Sequence, residues 1–67
     1  MIRYAYFYPE NNNRVSHHSY ATKEEAIAYY PALSQWWSQI EVQAPSDIAA
    51  FVNAVTGVIV VLRKIEK

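Results

Sequence analysis

Sixty-seven residues, half of them hydrophobic, carry six basic and six acidic side chains and no cysteine. That length holds one domain at most, and the composition is too apolar and too weakly charged for a disordered chain. The absence of cysteine excludes a disulfide-stapled miniprotein and a thiolate zinc site, and zero formal charge argues against a strongly electrostatic nucleic-acid binder.

Ile2 to Tyr8 is rich in aromatic and β-branched residues and predicts a first strand. Pro9-Glu10-Asn11-Asn12-Asn13 is a turn cluster, because proline fixes φ and asparagine tolerates the left-handed region. Arg14 to Tyr20 then predicts a second strand that closes a hairpin. Thr22-Lys23-Glu24-Glu25 is a capping box, with the Thr22 hydroxyl placed to accept from the Glu25 N–H. A helix is expected from Lys23, with Ala26, Ile27, Tyr30 and Leu33 on its buried face. Pro31 disfavours helical geometry at Tyr30, so the helix is expected to end there or to restart at Pro31.

Trp36 to Gln43 alternates with the period of a strand, and a strand from about Trp37 to Gln43 is expected; helix through Gln39 is the alternative. Pro45-Ser46-Asp47 predicts the start of a second helix, capped by Ser46 or Asp47. Its apolar stripe would be Ile48, Phe51, Val52 and Val55, and Gly57 would be its left-handed C-cap. Val58 to Ile65 predicts the last strand. The expected fold is a compact single α+β domain over residues 1–67, order β-β-α-β-α-β, with helices packed on a small mixed sheet. If the third and fourth strands are adjacent and parallel, the crossover between them is right-handed.

No apolar run follows Arg3, so no signal peptide is expected. The stretch from Ile48 to Leu62 falls short of the roughly 18–20 apolar residues that a membrane span needs. Asn53, Thr56 and Gly57 also interrupt it. A cytoplasmic chain is the expectation from the missing cysteines.

Two strands depart from the alternation expected of a sheet covered on one side. The first places Ile2, Tyr4, Tyr6 and Tyr8 on one face and Ala5 and Phe7 on the other. The last places Val58, Val60 and Leu62 against Ile59, Val61 and Ile65. Three arrangements would reconcile this: helices on both faces or a sheet folded on itself, a homodimer that closes one face or pairs edge strands, or a patch that takes a different protein.

The sites of chemistry are sparse. His17 and His18, read as strand neighbours, point to opposite faces and cannot share one ion, so half-exposed histidines are expected. No G-x-S-x-G elbow surrounds any serine, and Asp47 reads as a helix cap. Glu24 and Glu25 are capping and first-turn charges. A single glycine leaves no phosphate loop or dinucleotide fingerprint. No catalytic residue, metal site, cofactor or small-molecule substrate is expected. Arg3, Tyr4, Tyr6, Phe7 and Arg14 interleave basic and aromatic residues and supply the case for a single-stranded nucleic-acid binder. Arg63, Lys64 and Lys67 cluster near the C-terminus, diluted by Glu66. Trp36-Trp37 places one indole on each side of the backbone, one for the core and one as an interface anchor.

The segment Tyr20-Ala21-Thr22-Lys23-Glu24-Glu25-Ala26 after a hairpin resembles the start of HicB-type antitoxin domains and of short phage-encoded host-inhibitor proteins. The resemblance rests on the capping box and transfers no residue role. The expected function is a non-enzymatic protein–protein interaction module, either a homodimeric accessory protein or a small inhibitor that blocks a larger complex, of phage or mobile-element type. Its binding residues are expected to be Tyr4, Tyr6, Phe7, Trp36, Trp37 and Val61. A nucleic-acid module using strand aromatics is the alternative.

Overall fold

A computed structural model describes residues 2–66. Lys67, grouped above with Arg63 and Lys64, lies outside them, as does Met1. The elements in chain order are β1 (Ile2–Tyr8), β2 (Asn13–Arg14), α1 (Lys23–Leu33), β3 (Trp37–Ile40), β4 (Ala49–Asn53) and β5 (Ile59–Glu66). The strands form one sheet in the order β2-β1-β5-β4-β3, with every neighbouring pair antiparallel. α1 carries the chain from one edge of the sheet to the other and packs on one face.

This corrects the expected order β-β-α-β-α-β and the mixed sheet. Among the described residues there is one helix, and the segment expected to be the second helix holds the strand β4. The strand over Trp37–Ile40 and the last strand are not neighbours, because β4 lies between them, so no parallel crossover exists. The physical reason lies in the turn. Gly57 has φ +75°, but it closes a hairpin rather than a helix. Its N–H donates to the Asn53 carbonyl at 2.8 Å, and the Asn53 N–H donates to the Val58 carbonyl at 2.9 Å. The Asn53 side-chain oxygen accepts from the N–H groups of both Val55 and Thr56. Asparagine thus satisfies the turn locally, and glycine supplies the positive φ. Gly57→Ala meets no atom within 4 Å, so only the backbone conformation opposes it. It is expected to destabilise the domain by about 1 kcal/mol without changing the sheet, measured as a shift of the urea midpoint at constant slope.

The Thr22 half of the capping box forms as expected. The Thr22 hydroxyl accepts from the Glu25 N–H at 3.1 Å, and Glu24 and Glu25 occupy the first turn. Pro31 neither ends nor restarts the helix. It lies in the last turn, and the Ser34 N–H donates to the Tyr30 carbonyl at the C-terminal cap. Ala26 and Tyr30 are buried and Ile27 half-buried, whereas Leu33 is exposed, contrary to the expected stripe.

The turn after β1 places Asn12 at φ 61°, with its N–H donating to the Tyr8 carbonyl. β2 is only two residues long, not the seven-residue strand expected over Arg14–Tyr20. Ser16, His17 and His18 loop outward, because they are polar and bond locally: the Ser16 hydroxyl accepts from the His18 N–H. The chain rejoins the sheet at Tyr20, which exchanges two backbone bonds with Tyr4. At the other edge β3 stops at Ile40, short of the expected Gln43.

The core lies between α1 and one sheet face. It holds Tyr6, Tyr20, Ala26, Tyr30, Ala49, Phe51, Val60 and Leu62. Tyr6 is its hub, edge-on to Tyr20, Tyr30 and Phe51 at centroid distances of 5.9, 4.7 and 6.0 Å. Its hydroxyl donates to the Ala26 carbonyl at 2.6 Å, so the one polar atom the ring carries inward is satisfied.

Burial and the neighbouring tyrosines hold the hydroxyls of Tyr6 and Tyr20 above the usual tyrosine range; burial likewise pushes Tyr30 up to about 12. The folded state therefore keeps protons that the unfolded chain loses near pH 10. Stability is fully present below pH 10 and is lost as pH rises through the folded value of Tyr30. Alkaline titration should show tyrosinate absorbance from these rings appearing together with loss of far-ultraviolet circular dichroism. Complete ionisation of every tyrosine with the dichroism intact would contradict the burial.

Candidate protein-interaction face

The strand registers define what the helix leaves uncovered. Facing α1 are Tyr4, Tyr6 and Tyr8 of β1, Val60 and Leu62 of β5, Ala49 and Phe51 of β4, and Trp37 of β3. The opposite face follows from the pleat. It carries Arg3, Ala5 and Phe7 of β1, Ile59, Val61, Arg63 and Ile65 of β5, Ala50 and Val52 of β4, and Ser38 and Ile40 of β3. No helix lies against this face among the described residues. Solvated faces of antiparallel sheets are ordinarily polar, but the middle of this one is apolar.

One row of paired residues crosses all five strands: Arg14, Phe7, Val61, Ala50 and Ile40. Val61 and Ala50 are buried, beside the β3–β4 connection whose Asp47 bonds Arg63 on this face, whereas Ile59 in the next row is 41 % exposed. Above Ala50 lies a hollow of about 320 Å³ floored by Val61 and Ile40 and bounded by Glu41, Gln43, Asp47, Pro9 and Ile59. That volume is at the lower end of ligand-pocket size.

Arg63 organises the polar part of the face. Its Nε donates to the Asp47 carboxylate at 2.8 Å and its Nη1 to the Asn12 side-chain oxygen at 2.9 Å. Its guanidinium lies over the Phe7 ring, 5.4 Å from the centroid. Asp47 is almost fully enclosed. It pins the β3–β4 connection to β5 and is not the helix cap expected from the sequence, because no helix follows it. Arg14 pairs with Phe7 in the sheet, and its Nε is buried with no hydrogen-bond partner among the described residues. Its Nη2 reaches the His17 carbonyl only at 3.4 Å.

The expected binding residues separate onto two faces. Phe7 and Val61 lie on the uncovered one. Tyr6 and Trp37 lie under the helix, Trp37 against the Tyr30 ring at 4.4 Å, and Tyr4 packs at the margin of the same core. Trp36 lies just before β3 and is 51 % exposed. Arg3 and Phe7 therefore face away from Tyr4 and Tyr6, so no single surface joins Arg3 to all three of these aromatic residues of β1. Arg3 is itself engaged, donating to the Ser19 hydroxyl at 2.6 Å and to the Ser19 carbonyl. His17 and His18 are exposed on a loop rather than a strand, and the His18 ring packs edge-on against Tyr20 at 4.6 Å. Among the described residues no three histidine, aspartate or glutamate side chains converge as a metal site.

Sequence reasoning missed Ala50, Val52, Ile40 and Arg14 as members of the face, and placed Ile59 on the Val61 side of the last strand without counting it as a binding residue. Ala50 and Val52 reach it only once β4 is a strand. A second concavity, of about 830 Å³, opens between the β1–β2 and β4–β5 turns, lined by Tyr8 to Asn11 and Thr56 to Ile59; Glu10 and Tyr8 are its titratable groups. Among the described residues no helix is long and apolar enough to cross a membrane. No protein-family model, curated protein or solved structure matches the chain.

Proposed function

We propose that this chain is a non-enzymatic protein–protein interaction module that works through the sheet face that carries no helix. The reading rests on one observation: the helix covers one side of the sheet, while the other side is apolar, with Ile59 exposed and Phe7, Val52 and Ile40 half-buried around the buried Val61 and Ala50. Apolar side chains left partly open to water beside one another mark interaction surfaces. Bound protein would remove Ile59 and Val52 from water, with Arg14 and Glu41 at the rim fixing register. Such a module serves as a homodimeric accessory protein or as a small inhibitor that blocks the surface of a larger complex. A cysteine-free chain fits the cytoplasm for either role.

The test is in-cell cross-linking and capture, with nuclease treatment, of the native chain and of Ile59→Glu. Ile59 is exposed, so the substitution leaves the core intact, which circular dichroism verifies. Nuclease-resistant protein association lost in Ile59→Glu is the expected result. Association abolished by nuclease, or unchanged in the folded variant, would overturn the reading.

A further inference from the structure

We draw no further inference here: the strongest candidate, the sheet edge along β3 at Trp37–Ile40, carries nothing, because nothing in the structure shows what covers it.

Discussion

Phe51→Ala is expected to cost about 3–5 kcal/mol, a large share of the domain's stability. Phe51 is fully buried and is the largest side chain in that condition, placed between Tyr6 and Tyr30. A domain of this size holds only about 3–10 kcal/mol of total stability, at 0.05–0.15 kcal/mol per residue. Four of the buried hydrophobic residues, Ala5, Ala26, Ala49 and Ala50, are alanines and contribute little area each. The aromatic rings must therefore supply most of the burial, and losing one removes a large share. Denaturant unfolding followed by circular dichroism checks this. A cooperative transition displaced by less than about 1 kcal/mol would mean that Phe51 is not at the centre of the core.

Tyr6 separates two contributions that a single substitution would merge. Tyr6→Phe keeps the ring against Tyr20, Tyr30 and Phe51 and removes only the hydroxyl that donates to the Ala26 carbonyl. It is expected to cost about 0.5–1.5 kcal/mol. Tyr6→Ala removes the ring as well and is expected to cost about 3–5 kcal/mol. The same pair of variants distinguishes a core role from a binding role. If Tyr6 acts under the helix, Tyr6→Phe changes stability and leaves association unchanged. Association lost in a folded Tyr6→Phe would place that hydroxyl in an interface instead.

Much of the fold was legible because local chemistry and tertiary packing agree. β1 and β5 follow from their β-branched and aromatic runs, and Thr22 with Glu25 fixes the helix start. The turn at Asn12 takes the left-handed conformation that asparagine tolerates. β4 was not legible, because an apolar run that is buried or half-buried on both faces has no strand period to read. Ile48, Phe51, Val52 and Val55 match a helical stripe as well as Ala49-Ala50-Phe51-Val52 matches a strand. The deciding pair was Asn53 with Gly57, a hairpin signal four residues apart that also resembles a helix end.

The same ambiguity limited the site. Alternation in β1 and β5 shows that both faces are apolar but not which one the helix occupies. Tyr4 and Tyr6 were therefore grouped with Phe7, although the pleat sends them to the opposite side. The helix chooses the tyrosine face because Tyr6 finds a carbonyl for its hydroxyl there, at Ala26. No such partner exists for sequence reasoning to see until α1 is placed on the sheet. Val61 and Phe7 were legible as apolar positions, and their joint membership of one row with Ala50 and Ile40 follows only from the register.

Hydroxyl-radical footprinting of β5, in the free chain and in the cross-linked capture, tests the account most directly. Val60 and Leu62 face α1 and should stay protected in both. Ile59 is exposed and should react in the free chain and become protected in the capture. Ile59 protected as fully as Leu62 in the free chain, or reacting unchanged in the capture, would contradict the account.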